Sequence, residues 1–145
     1  MYSHEFIFIP GRWVGGGKIT FSSASEHIRF YTSWNIDKKT NNTILLQQKV
    51  EMQPLQNVVN NSFLLYDFSG NKFKIELESE QINKSVGSGL IDEKTIAWEF
   101  RSSEGMEGFE VYELQENGDY MFHAEYASLG QFRTIVDGRI WRKST

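Results

Sequence analysis

The sequence predicts an all-β protein, folded as an up-and-down antiparallel barrel of about ten strands. Three observations carry that expectation. Apolar and polar residues alternate with a period of two along most of the chain, and the 3.6-residue period of an amphipathic helix is nearly absent. The alternating segments are joined by short polar connections rich in Gly, Asn, Asp and Ser, which suit antiparallel neighbours and are too short for parallel crossovers. Ten strands left as an open sheet would expose two hydrogen-bonding edges and an apolar face with no helix to cover it, and closure removes both. A two-sheet sandwich is the competing architecture, but its Greek-key crossings call for longer connections.

The elements follow in order. Trp13 to Phe21 opens the series, with Gly15, Gly16 and Gly17 inside it. Three glycines in a strand point to a bulge, a sharp bend or a close backbone approach. The GxxxxGK[ST] pattern of a phosphate loop is missing. Ser22 to Glu26 holds a Ser23–Glu26 capping box sufficient for one helical turn. Ile28 to Ile36 and Ile44 to Met52 alternate cleanly, and Pro54 ends the latter because it cannot donate to a ladder. Val58 to Ser69, Lys72 to Glu78, Ile82 to Ile91, Thr95 to Arg101, Gly108 to Leu114, Tyr120 to Ala127 and Phe132 to Arg142 complete the set. Turn chemistry separates them at Asp37–Asn42, Ser69–Lys72, Asp92–Lys94, Ser103–Gly105, Glu116–Asp119 and Ser128–Gln131.

At 145 residues the chain is expected to form a single domain over residues 1–145. Fifteen Lys and Arg against nineteen Asp and Glu leave a net charge of −4, which argues against a nucleic-acid partner. With no cysteine there is no disulfide framework, no thiolate nucleophile and no Cys-ligated metal. The apolar run Phe6 to Ile9 stops at Pro10, too short for a signal-peptide core or a membrane-spanning helix. A cytoplasmic protein is the expectation.

Few residues point to chemistry. No HxH, HExxH or HxxxH spacing supplies a metal site, and no Gly-x-Ser-x-Gly marks a nucleophile. Catalytic residues are therefore not assigned, although a Glu125–His123 pair is the first place to look for acid–base work. His123 is also the one histidine placed mid-strand where it could ligate haem iron, the alternative cofactor reading. Glu76, Glu78, Glu99 and Glu110 alternate beside lysines, as on a solvated barrel face. Twenty-one aromatics are the richest resource. Phe21, Phe30, Trp34, Phe63, Phe73, Trp98, Phe100, Phe109 and Phe122 either pack the barrel or line a cavity. Arg139 and Trp141 share a strand face, and an inward Arg there would clamp a carboxylate or phosphate.

Pro10-Gly11-Arg12-Trp13, at the head of the first strand, resembles the Gly-x-Trp signature of the calycin superfamily, which includes lipocalins and fatty-acid-binding proteins. Gly138-Arg139-Ile140-Trp141-Arg142-Lys143 is similar to the basic, aromatic last strand of the same families. The resemblance implies a calycin-like barrel in which Trp13 packs near the base beneath Arg139 or Arg142. The chain departs from fatty-acid-binding proteins in having no room for a helix pair after the first strand, and in Arg139-x-Trp141 where they have Arg-x-Tyr. It departs from lipocalins in having no disulfide and no helix after the barrel.

The expected function is the binding of a hydrophobic or amphipathic small molecule inside the barrel, with Trp34, Trp98, Phe122, Arg139 and Trp141 as ligand-binding residues. Trp13, Arg139 and Arg142 form the structural lock. The alternatives are a filled barrel acting as a protein-interaction or oligomerisation module, a homodimer among the partners, and a haem protein or acid–base enzyme on the same scaffold.

Overall fold

A computed structural model of the chain describes residues 4–22, 26–53, 57–79, 84–102, 105–128 and 133–143. Ten strands lie among them: β1 (Gly11–Phe21), β2 (His27–Ile36), β3 (Ile44–Gln53), β4 (Asn57–Ser69), β5 (Lys72–Ser79), β6 (Ser85–Ile91), β7 (Thr95–Ser102), β8 (Glu107–Leu114), β9 (Tyr120–Ala127) and β10 (Arg133–Arg142). Every strand pairs antiparallel with its sequence neighbours, and β1 pairs with β10 from Trp13↔Arg142 to Phe21↔Thr134, closing the barrel without a crossover. No helix occurs among the described residues. Residues 23–25 of the one-turn helix expected at Ser22–Glu26, the break at Pro54, and parts of the turns at Ser103–Gly105 and Ser128–Gln131 lie outside the described residues.

Pleat parity sorts the side chains. Ile36, Trp34 and Phe30 of β2 face the interior, while Tyr31, Arg29 and Asn35 face out. The glycines of β1 serve close approach. A Cβ on Gly15 or Gly17 would run into the Arg139 and Asp137 carbonyls of β10, so β1 and β10 meet as tightly as they do only because those side chains are missing. Gly89 plays a similar part on β6, where the Phe73 ring lies across it.

One end of the barrel is stoppered by the segment before β1. Its turn is held by Phe8 and Ile9 amides donating to the Glu5 carbonyl at 3.2 and 3.0 Å. The apolar run that looked unremarkable in the sequence is thus a plug. Phe6 is fully buried, its ring 5.3 Å from Trp13, 5.4 Å from Trp34, 5.0 Å from Tyr112 and 5.5 Å from Tyr120. His4 ties the plug to the barrel from both ring nitrogens. Its Nε2 donates at 2.7 Å to the Asp92 carbonyl, which can only accept, and its Nδ1 lies 2.6 Å from the Tyr120 hydroxyl. Burial pushes the Tyr120 phenol up to about 12, keeping it a donor.

Candidate functional site

The inner wall changes character from the plugged end to the opposite rim. Towards the plug, Trp34, Leu46, Leu65, Ile96, Tyr120 and Ile140 are all fully buried. Towards the rim, the inward residues Phe21, Ile28, Val50, Met52 and Tyr126 are only partly buried, although they pack against the same core. Inward apolar side chains that remain accessible to solvent make the rim half the less completely packed part of the wall.

Polar side chains interrupt this apolar wall, among them two hydrogen-bonded sets. The first is a ladder across β2, β3 and β4. Asn61 Nδ2 donates to Gln48 Oε1 at 2.9 Å, and Gln48 Nε2 donates to Thr32 Oγ1 at 3.1 Å. All three lie at inward positions, since Gln48 is the cross-strand partner of the buried Trp34 and of Asn61. The second is Glu110 on β8, which is buried against expectation. Its Oε1 accepts from the Tyr112 hydroxyl at 2.6 Å and its Oε2 from the Tyr126 hydroxyl at 2.8 Å. Burial raises the Glu110 pKa above the usual carboxylate range, and the two tyrosine hydrogen bonds only partly offset it. The Trp98 indole, opposite Glu110 in the register, pulls weakly in the same direction as the tyrosines without reaching hydrogen-bond geometry. The phenols of Tyr112 and Tyr126 are themselves pushed well up, by burial first and by the adjacent carboxyl second.

The sequence-predicted site residues divide between the two faces. Trp34, Trp98 and Phe122 point inward and are buried. Trp34 belongs to the packed end, 6.5 Å from Trp98 and 5.2 Å from Phe63, whereas Trp98 and Phe122 flank Tyr112 at 5.1 and 5.3 Å. Arg139 and Trp141 lie on the outer wall, because Ile140, paired with Gly15, takes the inward position. An inward Arg139 head-group clamp is therefore corrected: its Nε donates to Asp119 Oδ2 at 2.9 Å outside the barrel. In the expected base lock, Trp13 and Arg142 are cross-strand partners, but the rings on Trp13 come from Phe6 and Tyr120, and Arg142 reaches Glu5 at 3.3 Å. Arg139 takes no part. Phe109 is another correction, an exposed outer residue whose ring lies 6.0 Å from that of His123.

His123 stands on the outer wall with both ring nitrogens engaged, Nδ1 with Asp137 Oδ1 at 2.6 Å and Nε2 with Glu125 Oε2 at 2.8 Å. Arg133 completes the cluster on the other Glu125 oxygen. The Asp137 contact first, then Glu125, raises the His123 pKa, while His123 and then Arg133 lower that of Glu125. No group of three or more His, Asp or Glu side chains able to hold a metal occurs among the described residues. No helix there is long and apolar enough to cross a membrane.

Solved structures share this shape, two of them over most of both chains. The S-type phycobiliprotein lyase CPES from Guillardia theta superposes with a TM-score of 0.72 at 10% identity, over 94% of this chain and 89% of that one. Rv2717c from M. tuberculosis superposes at 0.74 with 9% identity, over 94% and 93%. The likeness shows a shared fold, the closed antiparallel β-barrel. No protein-family model and no curated protein matches the sequence. The likeness is one of backbone path, not of side chains.

Proposed function

We propose that the protein holds an amphipathic small molecule in the rim half of the barrel. Its apolar body would lie against Ile28, Val50, Met52 and Phe122, and its polar group would meet the Thr32–Gln48–Asn61 ladder or Glu110. The observation that carries this reading is the contrast along the inner wall, complete burial towards the plug and partly exposed apolar side chains towards the rim. Leaving apolar surface wet forgoes about 25 cal/mol per Å², so an occupant that covers it gains that energy on binding. In this reading Trp98 and Phe122 form the floor, Trp34 supports it from below, and neither Arg139 nor Trp141 contacts the ligand. The likeness to a lyase barrel supports the scaffold, at a level of identity that carries no residue role across. The cysteine-free composition fits a reducing cytoplasm, the location proposed with it.

Native mass spectrometry beside the visible absorption spectrum tests the proposal, with uptake of a dansylated fatty acid by any protein that arrives empty. Val59, inward and half-buried opposite Val50, supplies the variant. Val59→Trp is expected to fill the rim half and reduce uptake at least tenfold while keeping the wild-type far-UV circular dichroism. A protein that carries no added mass and takes up no probe would establish a filled barrel instead. A bound mass with a Soret band would favour the haem alternative.

A further inference from the structure

The outer wall formed by β10, β1, β2, β3 and β4 carries a groove of about 1370 Å³, lined mostly by outward residues and reaching Thr32, Gln48 and Asn61 of the inner ladder. At its centre is Gly16, an outward position without a side chain, flanked in the register by Arg139 and Tyr31. A Cβ there would come within 2.7 Å of the Phe30 carbonyl oxygen and 3.5 Å of the Tyr31 ring. Five lysines and arginines line the groove (Arg12, Lys18, Arg29, Lys49, Arg139) against two carboxylates, Glu51 and Asp137, on a chain whose net charge is −4. Both carboxylates are engaged, Glu51 by Lys49 and Asp137 by His123. Among the described residues Arg12, Lys18 and Arg29 have no ion-pair partner. Between these cations Tyr31, Met121 and Trp141 expose 55%, 44% and 44% of their surface.

We propose that this groove docks an acidic amphipathic helix of a partner protein. Arg, Tyr, Trp and Met are the residue types that concentrate binding energy at protein interfaces. Unpaired cations around an apolar centre favour a partner with carboxylates flanking apolar side chains. Strand pairing and the groove's volume select the element. All barrel strands are paired, so no strand edge offers itself to an extended peptide. A helix about 10 Å across would fill this volume with roughly three turns. A second copy of the chain fits poorly, because two-fold contact would set the same basic face against itself. Single-stranded nucleic acid would leave Met121 and Val14 without a role.

Trp141 makes the test direct, since Trp13, Trp34 and Trp98 are buried and only Trp141 is exposed to quencher. The probe is a synthetic 15-residue helical peptide with leucines spaced to form one face and glutamates flanking them. Its controls are the same peptide with lysine for glutamate, and a twelve-nucleotide oligo(dT). The acidic peptide is expected to bind with a Kd of roughly 10–100 µM and to shield Trp141 from acrylamide. Binding should weaken at least tenfold in Arg12→Glu/Arg29→Glu and again between 50 and 500 mM salt. Unchanged circular dichroism and melting of that variant, whose two arginines are exposed, keep the comparison clean. Binding of oligo(dT) in preference to the peptide would overturn the proposal in favour of nucleic acid. Binding of neither, or peptide binding indifferent to the two reversals, would overturn it outright. None of these outcomes depends on interior uptake.

Discussion

Glu110 and Glu125 stand on neighbouring strands, with Glu110 opposite Ala124 and Glu125 opposite Phe109, yet they live in opposite electrostatic worlds. Glu110 faces inward, is buried, and has only neutral tyrosine donors, so its pKa rises. Glu125 faces outward between His123 and Arg133, and its pKa falls. The same side chain is pushed towards neutrality on one face of the wall and held ionised on the other. What decides is the parity of a pleat, and one residue of register would exchange the two roles.

The largest break in this comparison comes from removing the inner carboxyl. Glu110→Ala takes away the acceptor for the buried Tyr112 hydroxyl and leaves a cavity behind it. A loss of roughly 2–4 kcal/mol is expected from the combined cavity and unsatisfied hydroxyl, read from urea unfolding. Loss below 0.5 kcal/mol would mean that the site relaxes or hydrates, and that Glu110 is not the anchor its geometry suggests.

A subtler change sharpens the comparison through pH. Because the folded pKa of Glu110 is raised, the unfolded chain releases this proton first as pH rises past about 4.5. Between the two values the folded state binds more protons, so the contribution of Glu110 to stability is complete below the unfolded pKa and declines up to the folded one. Glu110→Gln cannot titrate. The stability difference between wild type and this variant should therefore move against wild type as pH climbs above 4.5, and then level off. A flat difference from pH 4 to 8 would show Glu110 ionised normally in the fold.

These contrasts also show how far the sequence could be read. Strand number, order and most boundaries were legible because alternation and turn chemistry are local, and the barrel followed from having no helix to cover an open sheet. The face of each Glu was not. Glu110 alternates with Phe109 and Val111, two apolar neighbours, so β8 offers no apolar stripe to mark its inner side, and only the pairing Trp98↔Glu110↔Ala124 resolves it. Two hydroxyl-bearing residues at inward parity, Tyr112 two positions away and Tyr126 across the wall, were the available hint. The plug was missed for a similar reason. Four apolar residues before Pro10 have no period of their own, and their meaning depends on where the barrel mouth lies. Arg139 and Trp141 were read on the correct shared face, but nothing local said that Ile140, between them, owned the interior.

The smallest expected effect lies on the outer wall. His123→Ala or Glu125→Gln breaks a cluster that is partly exposed, where ion pairs contribute about 0–1 kcal/mol. The two partners bound a pH window from its two sides, Glu125 opposite in form to Glu110 and His123 alike in form to it. The stability lent by Glu125 is present above about 4.5 and is lost as pH falls through its lowered folded value. That lent by His123 is complete below about 6.5 and is lost as pH rises through its raised folded value. The cluster is therefore strongest at mildly acidic pH, where both partners are charged, and salt should erode what it contributes. Measuring the His123→Ala difference at pH 5.5 and pH 8.5, in low and high salt, checks each part. A difference larger at pH 8.5, or one untouched by salt, would mean that His123 acts through packing against Phe109, whose ring is its nearest aromatic contact.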